Sequence, residues 1–512
     1  MQKKKRKGIG RLLHYIEVGG NALPHPASLF GILALITILF SYIGYLANWE
    51  VVHPATDETI RTFNLVSKEG FHKIFNEMVS NYTGFAPLGV VMVALLGISV
   101  MESSGLVSAV IRLLIIKSPK KIITMVVVFA GVVSNMASDL GYVLVIPLAG
   151  AIFHSLGRNP MAGMAAAFAG VSGGFSANLL IGTIDPLLAG LSTEAANIID
   201  PDYEVLPTAN WFFMIGSTFV ITAVGTWVTN RFVEPQLGGY SGDVPAEPLE
   251  RLSSREKKGV IRVMIAGLAI VALISAGLIP ENGFLRIDGG PVTESLLLKA
   301  FITFLFIVSA VMGMVYGFTT GKFTNDASVI KGMEGSFKTL AAYLVLVFFA
   351  AQFVAYFRWT NIGLIIAIKG AEFLQNSNLG LIPIVILFTI LSGFINLFMG
   401  SASAKWAILG PVFIPMFMLL GYSPELSQAI YRVGDSVTNI ISPMMSFFAL
   451  ILVWFEKYDK KAGIGTLIST MLPYSATFFI AWTILLVLWI TFNIPLGPDA
   501  SIYYEGLSGV VG

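Results

Sequence analysis

Runs of about 20 consecutive apolar residues recur along the whole 512-residue chain, and nothing else in the sequence constrains its fold so strongly. Coiled as an α-helix, such a run spans the hydrocarbon core of a bilayer, and in lipid the helix satisfies its own backbone hydrogen bonds. A β-barrel is excluded, because its strands alternate apolar and polar residues over roughly ten positions. The stretch "FFIAWTILLVLWITF" at 478–492 shows no such alternation. The low charged fraction, 12% against 55% apolar, agrees with a chain that water would not dissolve.

The pattern predicts an all-α polytopic membrane protein. Nine transmembrane helices are expected at about 27–47, 84–116, 161–198, 209–229, 260–279, 296–316, 339–369, 425–455 and 464–493. Two further apolar stretches, 122–156 and 381–420, are too long for one span and are interrupted by small and polar residues. Each is expected to be a re-entrant hairpin of two half-helices. Lys3, Lys4, Lys5, Arg6 and Lys7 precede the first run as in a signal peptide, but that run is long enough to span and carries no cleavage pattern.

Lys and Arg near helix ends gather on the cytoplasmic side. With the N-terminus inside, the inner connections carry Lys117, Lys120 and Lys121; Arg158; Arg231, Arg251, Arg255, Lys257 and Lys258; Lys322, Lys331 and Lys338; and Lys457, Lys460 and Lys461. The outer segments are poorer in cations, and the tail after Asn493 has none. The expected organisation is a cytoplasmic basic N-terminus (1–26), a first half (27–230), a solvated cytoplasmic connector (231–259), a second half (260–493) and a periplasmic tail (494–512) in a bacterial inner membrane.

The halves are related. "DLGYVLVIPLAGAIFHSLGRNP" (139–160) aligns without gaps on "SAKWAILGPVFIPMFMLLGYSP" (403–424). Pro147 meets Pro411, Phe153 meets Phe417, Leu156 meets Leu420, Gly157 meets Gly421 and Pro160 meets Pro424, while Tyr142 faces Trp406. Five expected spans separate the hairpins, so they enter from opposite sides, as in an inverted-topology repeat. Secondary transporters use such repeats to build midplane sites from broken helices.

The candidate chemistry lies at the breaks. The hairpin tips read "SNMASD" (Ser134, Asn135, Met136, Ala137, Ser138, Asp139) and "NLFMGSASAKW" (Asn396 to Trp406), whose Asn and Ser oxygens either coordinate a hard cation or bind neighbouring helices. The helices that follow contain "GVSGGFSANLLIGTIDP", with Gly170, Ser172, Asn178, Asp185 and Pro186, and "YRVGDSVTNIISP", with Arg432, Gly434, Asp435, Ser436, Asn439, Ser442 and Pro443. Ionisable residues at membrane depth are costly and mark pathways. Arg432 and Asp435 are three residues apart, share a helical face, and form either a structural pair or an anion-holding Arg beside a cation- or proton-carrying Asp. Asp185 is weaker, since Pro186 allows a position at a helix end. Arg358 is expected to snorkel or mark a bend. The five histidines show no metal-ligand spacing, the absent cysteine leaves no disulfide or thiol chemistry, and a net charge of +2 suggests no nucleic-acid partner.

The segments 400–425, 431–445 and 134–150 resemble the AbgT family of p-aminobenzoyl-glutamate transporters, which includes MtrF- and YdaH-like antimetabolite exporters, and the likeness extends over essentially the whole chain. The resemblance implies a homodimer, each protomer with nine spans and two hairpins, that moves folate-pathway aromatic acids or sulfonamides on an ion or proton gradient. It implies pathway residues Asp185, Ser403, Trp406, Pro424, Arg432, Asp435 and Pro443, and a sodium site near Asn396 and Asp435. It implies no cofactor beyond Na+ or H+ as coupling ion, and no enzymatic activity. Read from the residues alone, Trp406 is either a core residue or a stacking face for an aminobenzoyl ring.

Three other functions compete with this one. A sodium-coupled importer of dicarboxylates or peptides belongs to the same class. An intramembrane aspartyl protease fails because Asp459 lies among Lys457, Lys460 and Lys461 in an expected cytoplasmic turn, and Val-Gly rather than Gly-x-Gly precedes Asp435. A passive channel needs no inverted repeat.

Overall fold

The computed structural model describes residues 24–506 except 53–56, 117, 138–140, 246–251, 288–289, 291, 293–294, 378 and 505. The N-terminal lysines, Lys117, Ser138, Asp139 and Arg251 lie outside the described residues. Short polar residues begin several helices by capping their first free amides. Pro26 opens α1 (Pro26–Leu46) behind the His25 cap, and Ser67 caps α2 (Lys68–Thr83). The next expected span breaks into α3 (Ala86–Ser103) and α4 (Leu106–Ile116) at Gly105, whose φ of 84° is left-handed.

The first expected hairpin is α5 (Ile123–Ser134) followed by a wide turn, Gly141–Val145, and α6 (Ile146–Ser155). The span after it is interrupted: α7 (Pro160–Phe168) widens at Ala169–Gly173, then irregular chain leads to α8 (Ile184–Ala196). The first half ends with α9 (Trp211–Val228). The second half opens with α10 (Ser254–Leu278), fixed by a Ser253–Glu256 capping box, then α11 (Phe301–Thr320) and α12 (Asp326–Trp359). Left-handed Asn361 turns the chain into α13 (Ile362–Asn376), bent 68° from α12, and Arg358 sits exposed just before the bend. The second expected hairpin is α14 (Leu381–Asn396) and α15 (Ala402–Leu419). Then come α16 (Pro424–Asn439), a break at 440–447, α17 (Phe448–Tyr458) and α18 (Ile464–Thr491).

Among the described residues, seven helices are long and apolar enough to cross a membrane, or eight if the bent α12–α13 pair is one span. The difference from nine has a physical cause. The spans expected at 161–198 and 425–455 are broken mid-way, so none of their pieces is long enough alone. The seven also include α15, expected as one arm of a hairpin. The all-α expectation is modified outside the spans by a two-stranded antiparallel ribbon, β1 (Glu50–Val52) with β2 (Thr59–Arg61). The connector is not wholly free either: Arg158 donates to Glu234 at 2.7 Å, and its guanidinium sits 4.0 Å from the Phe153 ring centre.

The repeat is visible in backbone geometry. Gly157 and Gly421 both adopt left-handed φ, 73° and 83°, where L side chains are strained. Arg158 N–H donates to the Phe153 carbonyl at 2.8 Å, and Tyr422 N–H to Phe417 at 2.9 Å, the same closure of a helix end. Asn159 and Ser423 then cap α7 and α16, each followed by proline in the first turn. The broken helices also meet the hairpins in the same way. A Cβ on Gly170 would fall 2.3 Å from the Val128 carbonyl oxygen, and one on Gly434 would fall 2.3 Å from that of Thr389. Only glycine permits these two approaches.

Burial separates the chain into two environments. The most apolar stretch of α15 is 72% buried, while that of α10 is 17% buried, leaving Leu268 and Ile265 exposed. The C-terminal tail folds back over the α15–α16 corner: Ser423 N–H donates to Ile502, and Tyr504 N–H to Gly421, both at 3.0 Å. The Tyr504 hydroxyl donates to Asp200 at 2.9 Å, and partial burial beside that carboxylate pushes its pKa up to about 12.

Candidate functional site

The site is organised by α16. Pro424 is its first residue, behind the Ser423 cap, and nearly every side chain along it is buried. A helix with Arg432, Asp435, Ser436 and Asn439 all buried requires partners for each from neighbouring elements. Three supply them: the α14–α15 corner, the irregular chain 174–183, and α8.

Arg432 does not pair with Asp435. Its guanidinium reaches Asp185 in the first turn of α8, and both side chains are buried. The other Asp185 oxygen accepts the Gly182 amide at 2.6 Å, so backbone and guanidinium each hold one oxygen of the side chain. Asp185 therefore lies in the interior and is not a solvated residue at an outer helix end. Among the described residues the buried Arg432 Nε has no hydrogen-bond partner, which leaves one donor of the fork available. Ser436 links the halves a second time: its hydroxyl accepts the Ser176 amide at 3.1 Å and donates to Arg432 O at 2.8 Å.

Asp435 pairs with Lys405, a residue of α15 that sequence reasoning quoted within the hairpin motif but gave no role. The Lys405 ammonium also donates to Asn396 Oδ1. Asn396 Nδ2 faces Asp435 O at 2.7 Å, Asn439 Oδ1 at 2.8 Å and Thr438 Oγ1 at 2.9 Å. The oxygens expected to hold sodium thus face an ammonium group, and a sodium ion does not fit between Asn396 Oδ1 and Asp435 Oδ1 while Lys405 stands there. The missed signal was the lysine itself, because a cation at membrane depth calls for an acid.

Trp406, the next residue of α15, is fully buried. Its ring stacks on Tyr431 at 4.6 Å with 26° between planes, and its indole N–H donates to Ser192 Oγ at 2.9 Å. Ser192 in turn donates to Gln428 at 3.0 Å. These contacts tie α15 to α8 and α16 through Trp406. Tyr431 also donates to Ala402 O at the hairpin corner.

Ser403 faces a cavity of about 220 Å³ between the halves, whose lining includes Tyr142, Phe175, Ser401 and Asn439. Tyr142 stacks on Phe447 there at 4.4 Å, with planes 10° apart. Arg432, Asp435 and Trp406 lie in the packed layer behind the cavity rather than on its wall. Pro443 lies in the break after α16, beside Ser442, whose hydroxyl donates to Asn396 O at 3.0 Å. Proline's missing donor and a side-chain hydroxyl on the hairpin carbonyl suit a chain that stops being helical at this depth.

Two halves sharing a corner geometry, meeting through the buried Arg432–Asp185 ion pair between broken helices, define a polytopic membrane protein of the transporter class. Residues 11–504 match the AbgT transporter family, and the chain belongs to it. It is 34% identical over 493 residues to the p-aminobenzoyl-glutamate transport protein of Escherichia coli (strain K12), covering 96% of each chain. Similar solved structures include two that span most of this chain. One is the YdaH transporter of Alcanivorax borkumensis, with TM-score 0.88 and 45% identity over 93% of this chain and 100% of that one. The other is MtrF of Neisseria gonorrhoeae, described as one of a class of antimetabolite efflux pumps, with TM-score 0.90 and 50% identity over 96% of this chain and 100% of that one.

Proposed function

We propose that this chain is an ion-coupled secondary transporter of folate-pathway aromatic acids, moving p-aminobenzoyl-glutamate and p-aminobenzoate and expelling sulfonamide antimetabolites. Arg432 carries the reading. A buried guanidinium with one carboxylate partner and an unpartnered Nε is equipped to take an anionic or sulfonyl group at the junction of the two halves. The neighbouring cavity, lined by Tyr142 and Phe175 with the Ser401, Ser403 and Asn439 polar groups, suits one substituted aromatic ring. One relative is named for p-aminobenzoyl-glutamate transport and another for antimetabolite efflux, which favours this reading over a general importer of dicarboxylates or peptides.

In this reading Asp185, Ser403, Trp406, Pro424, Arg432, Asp435 and Pro443 form or support the pathway. Asp435 is the coupling carboxylate, driven by a sodium or proton gradient. The protein is a homodimer in a bacterial inner membrane and performs no enzymatic chemistry. Each protomer has nine spans with two re-entrant hairpins, N-terminus cytoplasmic and C-terminus periplasmic. The asymmetry of Lys and Arg between loops supports that orientation.

Purified protein in liposomes, given labelled p-aminobenzoate or p-aminobenzoyl-glutamate under imposed sodium or proton gradients, tests this. Uphill movement of either substrate that stops when the gradient collapses is expected. Movement indifferent to both gradients would make the protein a passive channel, and no movement of either aromatic acid would overturn the substrate class.

A further inference from the structure

Lys405 contributes the feature of the site that neither the repeat nor the comparisons account for. Its side chain has no exposed surface, yet it carries an ammonium group between Asn396 at the end of α14 and Asp435 on α16. We propose that Lys405 is a tethered cation occupying the coupling-ion position, so that its ammonium and a free sodium ion are mutually exclusive partners of Asn396 and Asp435. This inference rests on the ion-coupling reading above.

The argument begins with ligand chemistry. Sodium is a hard cation that prefers amide and carboxylate oxygens, and an ammonium group is a donor that seeks the same acceptors. Asn396 and Asp435 offer both oxygen types. The Asn396 amide cannot turn to provide another oxygen, because its Nδ2 is committed to Asp435 O, Asn439 and Thr438. Its Oδ1 is therefore fixed toward Lys405 and serves one cation at a time.

The repeat supplies an internal comparison. Asn135 of the first half donates from Nδ2 to Gly174 O at 3.4 Å, as Asn396 donates to Asp435 O, and both bonds join residues 39 apart. In the ungapped alignment Lys405 falls opposite Gly141. A Cβ on Gly141 would lie 2.2 Å from Ser134 Oγ, so no side chain fits there, and among the described residues the buried Asn135 Oδ1 has no partner. An asparagine thus stands at the end of α5 and of α14, and among the described residues the second faces a cation from its own chain.

Charge gives the exchange its consequence. A buried Asp435 needs one compensating charge, which the ammonium supplies in this conformation. A second cation would add an uncompensated positive charge beside Arg432. Sodium can enter only as Lys405 withdraws, which moves α15 relative to α14 and α16. The apparent sodium affinity of the native chain is then reduced by the fraction of molecules in which Lys405 is already withdrawn.

Thermal unfolding of detergent-purified protein, titrated with sodium chloride against N-methylglucamine chloride, tests the exchange without measuring transport. Lys405→Met should half-saturate with sodium at a concentration roughly tenfold or more below that of the native protein. Lys405→Met/Asp435→Asn, which removes both charges, should fold and show no sodium-specific stabilisation. A Lys405→Met protein obtained only when sodium is present would support the exchange. Equal half-saturation in the native and Lys405→Met proteins would overturn it. So would a Lys405→Met protein that stays unfolded in sodium while the double variant folds. Because the readout is binding, a chain that exchanges cations but moves no aromatic acid would overturn the transport reading alone.

Discussion

Arg432 pairs with Asp185, 247 residues earlier in the chain, and not with Asp435 three positions along its own helix. The pair joins the two halves of the molecule, so disrupting it should act on both. Asp185→Asn leaves a buried guanidinium uncompensated and should cost about 3–5 kcal/mol of stability. Arg432→Gln should cost a similar amount. The double variant should lose less than the sum, by roughly 0.5–3 kcal/mol. Thermal unfolding of the four proteins measures this, and strict additivity would show that the two side chains act independently.

Arg432→Lys is expected to separate substrate binding from ion dependence. Lysine keeps the charge for Asp185 but lacks the planar fork that suits a carboxylate or sulfonyl group. Substrate affinity should fall by at least about tenfold, the equivalent of one lost charge-assisted hydrogen bond, with little change in the gradient dependence of transport. Binding of p-aminobenzoate by calorimetry and transport under varied gradients check the two halves of the statement.

Asp435→Asn keeps size and most hydrogen bonding while removing the coupling charge. It also leaves the Lys405 ammonium without its counterion, so stability should fall. The folded fraction should bind substrate yet fail to accumulate or expel it against a gradient. Uphill transport at the native rate, with unchanged sodium and pH dependence, would make Asp435 a structural partner of Lys405.

Trp406→Ala should destabilise the protein by about 3–5 kcal/mol, because it empties a fully buried ring site and removes the indole donor to the Ser192 hydroxyl. Trp406→Phe keeps a ring against Tyr431 and loses only the indole bond, at about 1 kcal/mol. Unfolding midpoints in detergent rank the three proteins. An alanine variant as stable as the native chain but weak in substrate binding would instead make Trp406 a stacking surface.

The native chain has no cysteine, so single cysteines report sidedness without background. Cysteines at Ser118 and Ser254 should react with an impermeant maleimide only from the cytoplasm, and one at Ser501 only from outside. Labelling of Ser118 and Ser501 from the same face would break the opposite entry of the two hairpins.

Much of this architecture was legible in the sequence because its causes are local. Continuous apolar runs dictate helices in lipid, and the Gly–Pro spacing shared by 157–160 and 421–424 dictates the same left-handed closure and proline-led restart in each half. The breaks at Gly170–Asp185 and Asn439–Pro443 were marked by polar residues and prolines that a continuous span would not carry. Partner choice was not legible. Three-residue spacing made Arg432 and Asp435 natural partners, but packing set each beside a residue from a different element, Asp185 on α8 and Lys405 on α15. The spacing limits which side chains can meet along one helix. Only the tertiary fold decides which distant charge is carried into the same dry volume, where each buried ion takes the nearest opposite charge that geometry permits. Tertiary structure likewise turned Trp406 inward against Tyr431 and brought Lys405 to Asn396, because α14, α15 and α16 converge there and the chain order alone does not fix how they pack.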